Sequence, residues 1–107
     1  MDKLIKAALN SINIENFYIT KADFKGECVV YNYISAPAGY ADNRKQGNKY
    51  TILLNVYSIS RVEETKAKVI KAMNKFGIKG GAAGKTLLEE NGIFNTSIQF
   101  YGYKAEI

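Results

Sequence analysis

The sequence predicts an α+β fold: a mainly antiparallel sheet of about four strands with two helices packed on one face. Three observations predict it. First, Lys49 to Gly77 passes from clean alternation, Tyr50 to Tyr57, directly into an amphipathic segment, Arg61 to Phe76. Tyr50, Ile52, Leu54 and Val56 recur at period two, whereas Val62, Thr65, Val69, Met73 and Phe76 recur at the spacing of a helix stripe. Those two faces are expected to form the core. Second, Asn91-Gly92 lies between two β-rich runs and is the strongest short-range hairpin signal, because both positions of a type I′ turn need positive φ. Third, an amphipathic segment opens the chain, so the order reads helix, strands, helix, hairpin.

In chain order, Asp2 to Ile12 places Leu4, Ile5, Ala8, Leu9 and Ile12 on one helical face, and Asp2 is suited to cap its start. Phe17-Tyr18-Ile19 reads as a brief strand before a polar turn, Lys21 to Glu27. Cys28 to Ile34 is β-branched and aromatic and reads as a strand. Ser35 to Asn48 holds the only proline, two glycines and the cluster Asp42-Asn43-Arg44-Lys45, and reads as a long flexible loop. Ser60 to Glu63 has the spacing of a capping box, and Gly77 stands where a left-handed C-cap is wanted. Ile78 to Lys85 reads as a flexible glycine-rich connection. In the final hairpin, Leu87, Phe94, Thr96, Ile98 and Phe100 are expected to share the inward face.

At 107 residues the chain is one domain, residues 1–107, hiding roughly two thirds of its unfolded surface on folding. Its longest uncharged run, Cys28 to Ala41, is too short to span a bilayer, and the charged start does not resemble a signal peptide. Cytoplasmic synthesis and use is the expectation. A single cysteine excludes an internal disulfide, and the absence of histidine excludes a zinc finger. Cys28 itself reads as a small buried hydrophobe. A formal net charge of +5 is compatible with nucleic acid but equally with a solvated basic surface.

Chemistry is poorly provided for. Gly84-Lys85-Thr86 ends like a phosphate loop, yet Lys79 occupies the position where the motif wants glycine, and the stretch is expected to follow a helix and enter a strand. No histidine is available as a base for Ser, Thr or Cys, and the pairs Glu63-Glu64 and Glu89-Glu90 do not form a shared acid–base site. The expectation is no enzyme, no cofactor, no metal and no small-molecule substrate. Eight tyrosines without tryptophan are more suggestive, because aromatic enrichment marks interface centres. Leu53 and Tyr57 face away from the expected core side, where helices on one face leave them uncovered.

Tyr31-Asn32-Tyr33, Tyr40-Ala41-Asp42-Asn43, the strand Tyr50 to Val56, Met73 to Gly77 and Leu88 to Phe94 with Phe100 together resemble the tail-terminator, or tail-completion, proteins of long-tailed bacteriophages and prophages. The likeness spans roughly residues 28 to 101 and rests on spacing and residue character. It implies two helices on an antiparallel sheet, and a ring, usually a hexamer, that caps the tail tube and meets the head connector. It further implies self-association, contact with the tail tube protein, DNA only passing through the lumen, and a place in the virion tail after assembly in the host cytoplasm. No membrane is involved. Candidate contact residues are Tyr40, Asp42, Arg44 and Lys45 in the loop, with Leu53 and Tyr57 on the sheet. The alternatives are a head-completion connector of the same particle and a small basic nucleic-acid-binding module.

Overall fold

The computed structural model describes residues 1–37, 40–41, 44–45, 47–89 and 92–105. Its elements are α1 (Asp2–Asn10), β1 (Glu15–Tyr18), β2 (Cys28–Pro37), β3 (Tyr40–Ala41), β4 (Arg44–Lys45), β5 (Gly47–Ser58), α2 (Val62–Lys75), β6 (Lys79–Leu88) and β7 (Phe94–Ala105). Five strands form one mixed sheet in the order β1-β2-β5-β7-β6, and β3 pairs with β4 separately. The α+β class therefore holds with two helices, while the strand count rises from about four to five. Most pairs are antiparallel, but β1 runs parallel to β2, reached through the turn that follows Tyr18.

The register explains the core. Val29, Tyr31 and Tyr33 of β2 lie opposite Val56, Leu54 and Ile52 of β5, which lie opposite Thr96, Ile98 and Phe100 of β7. Residues directly opposite in a ladder share a face, so these rows build one apolar surface. Ile5, Ala8 and Leu9 of α1 and Val69 and Met73 of α2 join it in a single cluster. Both helices thus cover the same face, as the stripe spacing predicts. The helix end is as expected too: Gly77 takes φ +87°, its N–H donates to Asn74 O at 3.0 Å and the Ile78 N–H to Met73 O at 3.0 Å. That bond pair closes a Schellman motif, with Ile78 buried beside Met73.

Both expected helix starts are corrected. Arg61, not Ser60, is the N-cap of α2, in a left-handed conformation (φ 53°, ψ 47°) and without a side-chain cap bond. That turn takes Ser60 off the capping geometry, and Glu63 pairs instead with Lys66 at 3.2 Å. At α1, Met1 is the N-cap, and the Asp2 carboxylate accepts a hydrogen bond from the Tyr31 hydroxyl rather than capping.

The two expected loops are strand where they are described. Residues 35–37 continue the β2–β5 ladder, with Pro37 opposite Asn48, and 40–41 pair with 44–45, while 38–39, 42–43 and 46 of the expected loop lie outside the described residues. Composition misleads there because proline costs a ladder nothing where its missing N–H would point to a free edge. The glycine-rich stretch after α2 is β6, interrupted by two bulges. Gly80 and Gly81 sit at φ +111° and +115°, a conformation closed to side chains, and a Cβ on Gly81 would stand 2.9 Å from Ile70 Cγ2 of α2.

In the final hairpin the closing bond runs from Gly92 N–H to Glu89 O at 3.0 Å, with Glu89 N–H donating to Ile93 O at 2.8 Å. A two-residue Asn91-Gly92 turn would pair the strands one residue differently; Asn91 itself lies outside the described residues. The shift flips β6, so Leu88 rather than Leu87 lies opposite Phe94, and Leu87 leaves the inward set while Phe94, Thr96, Ile98 and Phe100 keep it.

Candidate interface surfaces

The molecule measures 53 × 23 × 22 Å, because β2, β5 and β7 run on past the helices. The continuation, about residues 33–37, 47–50 and 101–105, is a three-stranded arm. The opposite end of the long axis, the far end, carries the start of α2, the turn between β6 and β7, and the segment leading into Cys28.

The sheet's outer face is divided between these ends. Toward the far end the chain covers itself. Phe17 and Phe24 pack with ring centroids 5.2 Å apart and planes tilted by 50°, and the Lys21 ammonium lies 5.1 Å over the Tyr57 ring while donating to Phe24 O. Cys28 beneath is fully buried, and burial pushes its thiol up to about 11. Burial, then the nearby Glu89 carboxylate, raises the Tyr57 hydroxyl. Tyr57 is therefore shielded by its own chain.

Toward the arm the outer face is open. Leu53 is 45% exposed, Ile34 68% and Tyr101 53%. Ile34, Thr51, Tyr101 and Lys79 form one row across four strands, and Lys49 lies opposite Tyr103 in the next. The Gln99 amide donates to the Tyr101 hydroxyl at 2.9 Å, which fixes that ring along the strand. An open groove of about 610 Å³ runs past Lys49, Lys79, Tyr101 and Tyr103 to Gly77 at the end of α2.

On the inner face of the arm, tyrosines replace aliphatics. Tyr18 meets Tyr31 and Tyr33 at 5.5 and 5.7 Å, and Tyr33 meets Tyr50 at 5.8 Å. Burial and the hydrogen bond to Asp2 raise the Tyr31 hydroxyl far above its ordinary range. The apolar-rim arrangement suits tyrosine, which buries a ring and keeps a hydroxyl at the surface.

Of the residues singled out from sequence, Leu53 lies on the open face and Tyr57 under Lys21. Tyr40 pairs with Lys45 and Ala41 with Arg44 in β3–β4, which gathers Tyr40, Arg44 and Lys45 into one hairpin; their side chains, and Asp42 entirely, lie outside the described residues. Sequence reasoning missed Ile34, Tyr101 and Tyr103 at the arm, and Ile59, Leu87 and Leu88 at the far end, all more than half exposed. The signal for Tyr101 and Tyr103 was present: odd positions of β7 alternate with the inward Phe94 to Phe100 set.

The free edges are poor templates for strand addition. Among the described residues β2 has no strand neighbour on its β1 side beyond Tyr31, and the Ile19 N–H donates to Tyr31 O at 2.9 Å, which shows that odd residues of β2 point that way. Of the three outward positions that follow, Tyr33, Ser35 and Pro37, the Tyr33 N–H is taken by the Asn32 side chain at 2.8 Å and Pro37 has no N–H. On the other edge β6 carries its two bulges. Both are recognised ways of blunting an edge.

Gly80 to Thr86 lies within a strand, so no helix N-terminus stands behind Gly84-Lys85-Thr86 to hold a phosphate. Among the described residues no three of His, Cys, Asp or Glu gather as a metal site, and no helix is long and apolar enough to cross a membrane. No protein-family model matches this chain, and no curated protein matches it.

Proposed function

We propose that this chain is a structural protein of a bacteriophage or prophage tail, a terminator that closes into a ring on the end of the tail tube and offers the head connector a surface. The observation that carries the reading is the distribution of apolar surface. Two helices seal one sheet face, while Ile34, Leu53 and Tyr101 stay open on the other and Leu87 and Leu88 at the far end. Exposed patches of this kind mark protein partners. The tail-terminator-like arrangement of helices on a largely antiparallel sheet, and the residue pattern from Tyr31 to Phe100, support it further. No catalysis, cofactor or membrane enters the proposal. The protein works first in the host cytoplasm and then in the virion tail. β3–β4 at the tip of the arm, with Tyr40, Arg44 and Lys45, is the proposed contact with the tube protein, Asp42 belonging to the same stretch of sequence.

Negative-stain electron microscopy of purified tail tubes mixed with the protein tests this. Rings on tube ends and arrested growth are expected; tubes that reach normal length with bare ends refute it. One observation favours a second reading. Tyr101 and Tyr103 lie two apart on β7, each directly across from a lysine, Lys79 and Lys49, as a platform for single-stranded nucleic acid would have them. An electrophoretic shift at low salt decides it, and absence of binding at micromolar protein removes it.

A further inference from the structure

The two ends of the long axis differ in charge as well as in shape. The arm end carries Lys3, Lys49, Lys75 and Lys79, with Arg44, Lys45 and Lys104 on its strands, against Asp2, which is engaged by Tyr31, and against Asp42 and Glu106, which belong to the same stretches of sequence. It holds the excess that makes the chain basic. The far end carries Glu15, Asp23, Glu27, Glu63, Glu64 and Glu89, six of the ten acidic residues. Lys21, Lys25, Arg61 and Lys66 also stand there, but Lys21 is drawn over Tyr57 while Arg61 and Lys66 pair with Glu64 and Glu63. That end is therefore slightly acidic overall.

Each end also bears exposed apolar side chains: Ile34 and Tyr101 on the arm, Ile59, Leu87 and Leu88 at the far end. Two arms brought together, or two far ends, would oppose like charges. An arm against a far end opposes unlike ones and buries apolar surface on both sides.

We infer that copies of this chain associate head to tail, the arm end of one receiving the far end of the next. Leu87, Leu88 and Ile59 then cover the open outer face around Ile34 and Tyr101, and Lys49 and Lys79 meet the carboxylates at the start of α2 and beside the hairpin turn. Such a contact is heterologous: it propagates, and it closes into a ring where the rotation per subunit allows. The blunted edges of β2 and β6 fit this, since they turn association away from simple strand addition and toward side-chain docking. The inference rests on the assembly reading, to which it supplies the two docking surfaces.

The test uses full-length chains carrying opposite reversals: Lys49→Glu with Lys79→Glu on the arm, and Glu63→Lys with Glu64→Lys at the far end. Sedimentation velocity is run at about 25 mM salt, where screening is weak, and again at about 500 mM. The wild-type chain is expected to form species larger than a monomer at low salt that dissociate at high salt. Each double variant, with an unchanged thermal transition, is expected to associate at least tenfold more weakly. An equal mixture of the two variants is expected to recover association, because the reversed arm of one meets the reversed far end of the other and the unreversed arm meets the unreversed far end. Recovery in the mixture cannot come from loss of folding. A wild-type chain that stays monomeric at low salt, reversals without effect, or a mixture that stays monomeric each overturns the inference. Leu88→Ser gives an independent readout, weakening association without altering its salt dependence. The tube-end experiment remains separate: bare tube ends with intact head-to-tail association would sink the tail reading alone, and capped ends with no effect of these reversals would sink these surfaces alone.

Discussion

Replacing Gly81 by alanine separates two physical descriptions of the stretch after α2 by the sign of its effect. If residues 78–85 were a flexible connection, alanine would reduce the freedom of the unfolded chain and stabilise the protein by about 0.4–1 kcal/mol. In the structure Gly81 is in β6 at φ +115°, and its added Cβ would lie 2.9 Å from Ile70 Cγ2. A backbone conformation of that kind costs a side-chain-bearing residue roughly 1–3 kcal/mol. The close approach adds to this, because Cγ2 is fixed to the β-branch of Ile70 and cannot swing away as the end of a long side chain would. A loss of about 2–4 kcal/mol is expected, which for a domain of this size lowers Tm by about 10 °C or more.

The clash can be isolated with Ile70→Ala in a double-mutant cycle. Ile70→Ala alone removes a half-buried side chain packed on the core and costs about 1–2 kcal/mol. With the methyl group gone, Gly81→Ala should cost less than in the wild-type background, leaving a coupling of roughly 0.5–2 kcal/mol. Urea unfolding monitored by circular dichroism measures all four proteins on one scale. A stabilising or neutral Gly81→Ala, or strict additivity with Ile70→Ala, refutes the close packing of α2 on β6 and with it the assignment of the glycine stretch as strand.

Three further outcomes follow from the same structure. Because burial raises the Cys28 thiol from 9.0 to about 11, the folded state keeps its proton where the unfolded chain loses it; that contribution is complete below pH 9 and disappears as pH rises toward 11. Thermal melts of wild type should fall across that window, Cys28→Ala should flatten the fall, and a thiol reagent should reach Cys28 only on unfolding. Ile19 holds φ 71° in a tight turn closed by Thr20 N–H donating to Tyr18 O at 2.9 Å, while more than half exposed; Ile19→Gly should raise Tm, the opposite of the usual effect of a glycine, by relieving about 1 kcal/mol of strain. Asn32→Thr with Pro37→Thr restores two outward amides on β2, and light scattering should then show salt-resistant aggregation that the wild-type chain lacks.

The legible parts of the fold were those in which a repeating pattern meets one dominant force. The β5 alternation and the α2 stripe both report burial, so the sequence alone assigns Ile52, Leu54, Val56, Val69 and Met73 to the core that they form. Gly77 was legible because one residue type serves a left-handed C-cap best. Errors arose where composition stood in for pattern. Pro37, Gly80 and Gly81 suggest irregular chain, yet each is compatible with a strand that borders free space or a bulge, and only tertiary pairing reveals which. The hairpin register failed by one residue because Glu89 to Gly92 supports two turn lengths, and the ladder with β7 decides between them. At the candidate interface, Leu53 was legible as an outward residue, whereas Tyr57 was not legible as covered, since its cover comes from Lys21 and from the Phe17–Phe24 pair beside it on a segment with no periodicity of its own.

That cover has a consequence for where partners can bind. Without the 20–27 segment, the outer face would present Cys28, Val30 and Tyr57 as well as Leu53 and Ile34, apolar positions along its whole length interleaved with Asn32, Asn55 and Thr51. Such a face pairs most simply with itself, back to back, in a two-fold dimer. The segment lays Lys21 over Tyr57 in the far half, where Cys28 and Val30 are buried, and it carries the carboxylates of Asp23 and Glu27. What remains open is only the arm half, basic and aromatic, with no like surface at the other end to mirror it. An isologous dimer then gains contact on half the face and brings lysine against lysine, while a head-to-tail neighbour finds carboxylates and leucines. A segment that reads in the sequence as a polar turn thus makes a face suited to closed dimers into one suited to directional assembly, the kind of contact that the ring proposed above would need.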